Sequence, residues 1–375
     1  MAFSSLPSLS ITVWLLLWAD SFRHCYSIHQ NYSSLFSFGD SLTDTGNLLA
    51  TGSLSFPSIG RYPYGMTYFG RPTGRCSDGR LIVDFIAQQF GLPMLPPYLA
   101  HGGNFRQGLN FAVAGATALD AEFFHEIGIG HILWTNHSLN AQLLWFEELK
   151  PLLCNTTKEC NDYFGKALFL VGEIGGNDYN YAFFLGKRLE EVQSYVPKVI
   201  GAVVAATERL INNGARHLVV PGNLPVGCSP MYLTLFSSPN KNDYNTKNGC
   251  LKKLNQFAKY HNSLLQGELK KLQKKYPMTR IIYADYYGAA IPFTYSPNHF
   301  GFTHGALATC CGGGGPYNFN PSARCGRNGS RVCTNPSSYA NWDGIHLTEA
   351  AYHAMATSLL HGSNTIPPLL QTSEN

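Results

Sequence analysis

The stretch LFSFGDSLTDTGN, residues 35–47, begins with an apolar run and passes at once into a serine that stands between acidic residues. The first four residues predict a buried strand, and Gly39 follows it directly. Ser41 is therefore expected at the carboxyl end of a strand, where the loops of a parallel sheet form their sites. Asp40, Ser41 and Thr43 would equally suit a helix N-terminus, because such side chains cap helices. This segment alone favours neither interpretation.

Further short apolar runs recur along the chain and alternate with longer segments of helical periodicity. Besides residues 35–38, the predicted strands are 109–113, 167–171, 217–221 and 280–284, and the predicted helices are 80–90, 138–149, 194–212, 251–276 and 348–360. Strands that are apolar on both faces and alternate with helices indicate a parallel sheet covered on both sides. The sequence therefore predicts an α/β fold in three layers, with its site at the carboxyl ends of the strands.

Polar groups and glycines follow the predicted strands in a pattern that suits hydrolysis. NFAVAGA places Gly115 after the second strand, and GEIGGNDYN places Asn177 behind two glycines after the third. NWDGIHLTEAAY sets Asp343 and His346 three residues apart before the last helix. A histidine that takes a serine proton needs a carboxylate on its other ring nitrogen, and this spacing can supply one locally.

Four segments together, FSFGDSLTDTGN, NFAVAGA, GGND and WDGIHLTEAAY, resemble the consensus blocks of the GDSL, or SGNH, esterase and lipase family, in the family's order. YFGRPTGRCSDGRLIVDFIA, NLPVGCSP and CCGGGGPYNFN are similar to its plant secreted branch, and particularly to members resembling sinapine esterase and acetylajmalan esterase. The resemblance implies a mostly parallel, flavodoxin-like sheet of five strands, the SGNH hydrolase fold. No G-x-S-x-G occurs, which excludes the usual α/β-hydrolase elbow.

Carried over onto the matching positions, the resemblance also implies the roles of five residues. Ser41 becomes the nucleophile, His346 the general base, and Asp343 the carboxylate that orients the base. The oxyanion hole comprises the backbone N–H groups of Ser41 and Gly115 and the side-chain amide of Asn177. This agrees with the chemistry, because a serine hydroxyl needs a base and a tetrahedral oxyanion needs preset donors.

Composition bounds the class of protein. The chain has 375 residues, of which 45% are hydrophobic and 13% charged, so it can bury a large core. Its net charge of +4 is scattered, and no basic face for nucleic acid is expected. The apolar run at residues 11–18 predicts a signal peptide over residues 1–27, cleaved between Ala19 and Gln30, although a buried N-terminal helix is the alternative. Residues 28–375 are then one hydrolase domain, secreted and without a stable membrane anchor.

Cysteines and glycosylation sequons fit the secretory route. Of ten cysteines, nine follow the predicted leader, and disulfides are expected within Cys154 and Cys160, Cys228 and Cys250, and the group Cys310, Cys311, Cys325 and Cys333, with the connectivity left open. An odd number leaves one free thiol, for which Cys76 is the candidate. N-glycosylation is expected at Asn31, Asn136, Asn155 and Asn328.

Other conspicuous features receive plainer interpretations. CCGGGGP lacks the lysine of a phosphate loop, and no histidine pair has metal-ligand spacing, so we expect neither cofactor nor metal. The aromatic segment at residues 61–72 would either line the substrate pocket or pack its own loop. Asp44 and Asn47 are expected to brace the turn after Ser41.

The leading hypothesis is a secreted serine esterase that cleaves a small acetyl or hydroxycinnamoyl ester of a plant specialised metabolite through an acyl-enzyme. One alternative passes the same acyl group to another alcohol and is an acyltransferase. Another is a lipid or cell-wall acetyl esterase. The alternative outside enzymes is a catalytically silent carbohydrate- or wall-binding protein on the same scaffold.

Overall fold

A computed structural model describes residues 31–100 and 105–370, and the predicted signal peptide lies outside them. Within these residues, Asn31–Leu369 cluster into one unit around a six-stranded sheet of order β2-β1-β3-β4-β5-β8. Its strands are β1 Ser34–Phe38, β2 Gly108–Asn110, β3 Ala167–Val171, β4 His217–Pro221, β5 Arg280–Ala284 and β8 Thr365–Ile366. The strands β6 Cys311–Gly312 and β7 Arg331–Val332 form a separate antiparallel pair.

Strands β1 to β5 pair in parallel, and β8 adds an antiparallel edge to β5. The parallel order 2-1-3-4-5 is the flavodoxin-like order expected from the sequence. Both β1 and β3 are buried along their whole length, as the absence of polar alternation in their sequences predicts. The edge strand β8 was not predicted, because two residues carry no periodic pattern.

Strand β2 ends earlier than its apolar sequence predicts. The expected strand ran to residue 113, but the regular strand ends at Asn110. The N–H groups of Phe111 and Val113 still donate to the carbonyls of Ser37 and Gly39. The Asn110 side chain accepts a hydrogen bond from the N–H of Ala112 and donates one to the carbonyl of Thr43. The Asn110 side chain thus joins the two loops that follow β1 and β2.

The helices cover both faces of the sheet. They are α1 Asn47–Ala50, α2 Ile82–Gln89, α3 Ala121–Glu126, α4 Leu139–Leu153, α5 Thr157–Phe164, α6 Gly176–Phe184, α7 Leu189–Asn212, α8 Pro230–Leu235, α9 Lys252–Lys275, α10 Tyr286–Ala290, α11 Pro292–Tyr295 and α12 Glu349–His361. Helices α4 and α9 pack against α7, whereas α2 and α10 pack against α12. The three-layer α/β/α architecture is confirmed.

The core beside β1 is aromatic. The ring of Phe38 stacks on Phe111 with centroids 5.0 Å apart, and Phe36 stacks on Phe169 of β3 at 5.3 Å. Phe146 of α4 meets both Phe36 and Phe38 edge-on at 5.8 Å. Because such pairs add to the burial of apolar area, they hold the carboxyl end of β1 firmly beneath the loop that carries Ser41.

Four disulfides link eight of the cysteines in the described residues. They are Cys154–Cys160, Cys228–Cys250, Cys310–Cys333 and Cys311–Cys325. Cys76 is a buried free thiol, which confirms that prediction. No helix in residues 31–100 and 105–370 has the length and hydropathy needed to cross a bilayer.

Candidate active site

The site lies where the order of the sheet reverses. Strands β1 and β3 are neighbours, yet the chain visits β2 on the far side of β1 between them. In an open parallel sheet this reversal leaves a crevice outside the carboxyl ends of the two strands. Ser41 follows β1, Asn177 lies in the first turn of α6 after β3, and both side chains reach the same cavity.

The turn before Ser41 depends on glycine. Gly39 has φ +141°, and an added Cβ would stand 2.8 Å from Thr43 Cγ2 and 2.9 Å from the carbonyl oxygen of Glu173. Gln142 of α4 fixes this glycine from both sides. The Gly39 N–H donates to Gln142 Oε1 at 2.8 Å, and Gln142 Nε2 donates to the Gly39 carbonyl at 2.9 Å. The backbone that presents Ser41 is thereby held in place.

Asp44 braces the next part of the turn, as expected. Its carboxylate accepts the backbone N–H groups of Gly46, Asn47, Leu48 and Ala114 at 2.6 to 3.0 Å. Helix α1 begins at Asn47, and its N-cap residue Gly46 has no side chain, so Asp44 accepts the N–H groups of the first two helical residues. The capping interpretation of Asp40, Ser41 and Thr43 is therefore wrong, because these residues form a turn that precedes the helix.

Ser41, His346 and Asp343 form one hydrogen-bonded chain. His346 Nε2 lies 2.8 Å from Ser41 Oγ, and His346 Nδ1 lies 2.8 Å from Asp343 Oδ2. All three residues are buried, and 305 positions separate the serine from the histidine. The fold thus brings the loop after β1 against the loop before α12. The serine hydroxyl is within reach of a base whose other nitrogen faces a carboxylate.

Asp343 is held as a carboxylate. Burial alone would raise its pKa, but the charge and hydrogen bonds of His346, with a hydrogen bond from Tyr64, outweigh burial and lower the pKa below its ordinary value. Asp343 Oδ1 also accepts the N–H groups of His346 at 3.0 Å and Ile345 at 3.2 Å. The loop therefore folds around the charge that orients the imidazole.

The aromatic segment at residues 61–72 supports this loop and does not line the cavity. The hydroxyl of Tyr64, a fully buried side chain, donates to Asp343 Oδ2 at 2.7 Å. Just beyond the segment, Ser77 Oγ donates to the Leu347 carbonyl, and Asp78 Oδ1 accepts the N–H of Glu349. Of the two sequence interpretations, packing is favoured.

Two backbone donors of the predicted oxyanion hole are free. Within the described part of the chain, neither the N–H of Ser41 nor the N–H of Gly115 has a hydrogen-bond acceptor. Gly115 adopts φ +86°, and a Cβ there would come within 2.7 Å of Trp134 Cβ. Tyr181 donates to the Gly115 carbonyl at 2.8 Å and so fixes the peptide that follows Gly115. Gly115 itself is not among the residues that line the cavity.

The side-chain amide of Asn177 has a fixed orientation, and both of its hydrogens already have acceptors. Asn180 donates to Asn177 Oδ1 at 3.1 Å, which fixes which end of the amide carries the donors. Asn177 Nδ2 donates to the Ala116 carbonyl at 3.0 Å and to Asp40 Oδ2 at 3.2 Å. Both amide hydrogens therefore have acceptors, and donation to a reacting oxygen requires the longer bond to give way.

Buried acids lie behind the serine. The carboxyl groups of Asp40 and Glu173 are hydrogen-bonded to each other, which requires a proton on one of them. Burial, foremost, raises the pKa of Asp40 and raises that of Glu173 to about 7. Asp178 accepts the N–H groups of Ala118 and Leu119, and burial raises its pKa to about 7 as well.

The cavity over these groups has a volume of about 360 Å³ and is lined mainly by apolar side chains. Ser41, Asn177 and His346 lie on its wall, and Trp134, Phe293 and Phe319 are among its aromatic residues. This matches small-molecule sites, which typically span about 300–1,000 Å³ and carry few polar groups. Within the described residues, no three His, Cys, Asp or Glu side chains converge to hold a metal.

Sequence reasoning missed three supporting residues. Gln142, Tyr64 and Glu173 contact Gly39, Asp343 and Asp40 respectively. Glu173 could have been noticed, because GEIGGND places an acid directly after an apolar strand. Gln142 and Tyr64 lie in helical and aromatic segments that give no such indication.

Comparison with known proteins matches residues 35–359 to the model of the GDSL-like lipase/acylhydrolase family. One GDSL esterase/lipase of Arabidopsis thaliana is 53% identical over 342 residues, covering 90% of this chain and 92% of that protein. A second is 48% identical over 366 residues, covering 97% and 92%. The solved structure of a variant acetyl-xylooligosaccharide esterase from Geobacillus matches 68% of this chain and 77% of that protein, with 11% identity and a TM-score of 0.31. A TM-score this low carries no argument about the substrate.

Proposed function

Because this chain belongs to the GDSL-like lipase/acylhydrolase family and is a carboxylic ester hydrolase, we propose that Ser41, His346 and Asp343 are its catalytic triad. The observation that carries the proposal is the unbroken hydrogen-bonded chain from Ser41 Oγ through the imidazole to Asp343 Oδ2. Each residue of the chain has the chemistry that its place requires, namely nucleophile, base and orienting carboxylate.

The reaction proceeds in two halves. Ser41 Oγ bonds to the ester carbonyl carbon while its proton passes to His346 Nε2, and the carbonyl oxygen becomes an oxyanion. The tetrahedral intermediate collapses, the bond to the alcohol breaks, and His346 returns the proton to the departing oxygen. Water then attacks the acyl-Ser41 with His346 again as base, which releases the acid and restores the serine.

The oxyanion is stabilised by three donors. The N–H groups of Ser41 and Gly115 need no rearrangement to donate, since neither has another acceptor in the described residues. The Asn177 amide gives up its 3.2 Å bond to Asp40 and turns that hydrogen to the oxyanion. The two backbone donors are preset, so they act on the charge as it develops and cost little reorganisation.

The substrate is a small carboxylic ester, with an acetyl or hydroxycinnamoyl acyl group on a plant specialised metabolite. The cavity supports this class because it is apolar and enclosed enough for an aromatic acyl chain, with Trp134, Phe293 and Phe319 on its walls. Its relatives in Arabidopsis are GDSL esterases/lipases of similar length, consistent with a plant ester as substrate.

The protein is secreted and N-glycosylated at Asn31, Asn136, Asn155 and Asn328. Its four disulfides suit an oxidising compartment, and all four asparagines are exposed, so a glycan could be attached at each without unfolding the chain. A mass shift on treatment with a peptide N-glycosidase, lost site by site in Asn→Gln variants, is the expected result.

The deciding experiment combines active-site labelling with an ester panel. A fluorophosphonate should label the protein at Ser41, found by peptide mass spectrometry, and S41A should resist labelling. Acetyl, feruloyl, sinapoyl and long-chain esters are then compared by kcat/KM. Release of free acid with the first three classes supports the proposal.

Other results would overturn it. Labelling without turnover of any ester would favour the silent binding protein, and preference for long chains would favour a lipase. Transfer of the acyl group to added methanol or sugar in preference to water would identify an acyltransferase.

A further inference from the structure

We propose that Arg324 forms an anion subsite in the cavity, so that the preferred ester carries a carboxylate or similar acidic group on its alcohol half. This inference rests on the proposed function and narrows its substrate. Arg324 lines the same cavity as Ser41 and His346, and no acidic side chain of the described residues pairs with it.

The guanidinium is held by aromatic faces and leaves its donors free. Its central carbon lies 5.6 Å from the ring centroid of Phe56 and 6.0 Å from that of Trp134. Within the part of the chain that the structure describes, its side chain has no hydrogen-bond acceptor. A half-buried arginine has five N–H donors, and here they are left for a ligand.

The location of Arg324 relates it to one half of the substrate. The Phe56 ring, which contacts the guanidinium, also stacks on the imidazole of His346, with centroids 6.2 Å apart and planes 22° apart. His346 must deliver its proton to the departing alcohol oxygen, so the alcohol half of the ester lies on this side of the cavity. One aromatic ring therefore contacts both the base of the leaving group and the guanidinium.

The backbone beside Arg324 is fixed to the catalytic loop. Cys325, the next residue, forms a disulfide with Cys311. The N–H of Cys311 donates to the carbonyl of Trp342 at 2.8 Å, directly before Asp343. The distance between the guanidinium and His346 is thereby constrained by covalent and hydrogen bonds, as a subsite for a small ligand requires.

Charge in the rest of the cavity is consistent with an anionic ligand near Arg324. The acidic residues on the cavity wall, Asp40 and Glu173, are hydrogen-bonded to each other behind Ser41. They form no ion pair with Arg324. A carboxylate matches the planar guanidinium in a bidentate pair, whereas a quaternary ammonium on the alcohol would be repelled.

The test uses matched esters that differ only in charge. 4-Acetoxybenzoate carries a carboxylate on the leaving group, and methyl 4-acetoxybenzoate does not. A second pair, phenyl hydrogen succinate and phenyl methyl succinate, carries the same difference on the acyl half. The kcat/KM of each is measured for wild type, R324Q, R324K and the control R327Q, in which an exposed arginine of the same loop is changed.

We expect R324Q to lower kcat/KM for 4-acetoxybenzoate by about 10- to 100-fold, the usual effect of losing a hydrogen-bonded charge contact. Its kcat/KM for the methyl ester should stay within about twofold, which also shows that the variant folds. The kcat/KM of R324K for 4-acetoxybenzoate should lie between those of wild type and R324Q, because lysine keeps the charge but cannot form a bidentate pair. R327Q should match wild type. The product 4-hydroxybenzoate should inhibit wild type more strongly than R324Q.

Equal losses on the charged and neutral esters, or equal effects on the acyl-side pair, would overturn the subsite while leaving the esterase intact. Failure of wild type to cleave any of the four esters would instead count against the proposed function. Raising ionic strength should reduce the preference for the anion, and a preference insensitive to salt would also overturn the subsite.

Discussion

Tyr64 and Asp343 are joined by a 2.7 Å hydrogen bond between a fully buried phenol and the carboxylate oxygen that also faces His346. Asp343 Oδ2 thus accepts from the imidazole and from Tyr64 together. The hydrogen bond from the phenol stabilises the negative charge of Asp343 and fixes the orientation of the carboxylate, although Tyr64 lies outside the cavity. Tyr64 is therefore a positioning residue whose effect reaches the substrate through Asp343 and His346.

Replacing Tyr64 by phenylalanine should lower kcat by about 5- to 50-fold with little change in KM, because the substrate does not touch this side chain. The range follows from the partial loss of a hydrogen bond to a charged group, typically about 1.5–3 kcal/mol. The measurement is steady-state hydrolysis of an aryl acetate at several pH values. Y62F, which changes an exposed tyrosine of the same segment, is the control and should match wild type. A rise in KM with unchanged kcat would contradict this role.

The oxyanion donors give a second prediction, on Asn177. N177A should reduce kcat by about 10²- to 10³-fold, the usual cost of one lost donor, whereas S41A should remove most of the acceleration. N177D should be worse than N177A, because it places a carboxylate beside the developing oxyanion and beside Asp40 Oδ2.

The control for this series is binding of a substrate-like inhibitor that lacks a tetrahedral centre. Its Ki should change little in N177A, since the amide acts on the transition state. Equal activity of N177A and N177D, or a loss confined to KM, would argue that Asn177 serves only to hold the 116–118 loop through its bond to the Ala116 carbonyl.

Much of the fold was predictable because its strands are apolar on both faces. The predicted strands at 167–171, 217–221 and 280–284 coincide with β3, β4 and β5. Helix α7 was predicted too short, because the predicted helix started at Ser194, whereas the helix begins at Leu189. Pro197 lies inside the helix, where a proline removes one backbone hydrogen bond, and packing of the buried face of the helix offsets that loss.

The five candidate site residues could be named from the sequence because each belongs to a local motif. Their supporting partners could not, because those contacts are long-range: Tyr64 lies 279 positions from Asp343, and Gln142 lies 103 from Gly39. No periodicity within a helix or loop encodes such a pairing. The disulfide partners Cys310 and Cys333 likewise depend on the folded loop, since adjacent cysteines allow either connectivity.

Two disulfides give a paired prediction on stability. Cys228–Cys250 closes 22 positions and Cys154–Cys160 closes 6. Loop-closure entropy predicts costs of about 3 kcal/mol for C228S/C250S and about 2 kcal/mol for C154S/C160S. Only Cys228 lines the cavity, so only the first pair should also alter kcat/KM. Chemical unfolding and ester hydrolysis measure both, and an activity loss in C154S/C160S would contradict the distinction.

The buried acids predict how stability depends on pH. Burial raises the pKa of Glu173 and of Asp178 from ordinary values of 4.5 and 3.8 to about 7. Between pH 4 and 7, roughly, the folded protein therefore keeps protons on Glu173 and Asp178 that the unfolded chain has released. The stabilisation is fully present below the unfolded pKa values and is lost as pH rises through 7, at up to about 1.4 kcal/mol per pH unit for each proton retained.

The variant E173Q isolates the contribution of Glu173. Its amide is neutral at every pH and can donate to Asp40, so the pair no longer needs a shared proton. Unfolding free energies from denaturant titrations at pH 5, 6, 7 and 8 should therefore fall less steeply for E173Q than for wild type. E126Q, which neutralises an exposed acid, should keep the wild-type slope. Parallel curves for wild type and E173Q would mean that Glu173 is already ionised in the folded protein at pH 5, and that the proton lies elsewhere in the cluster.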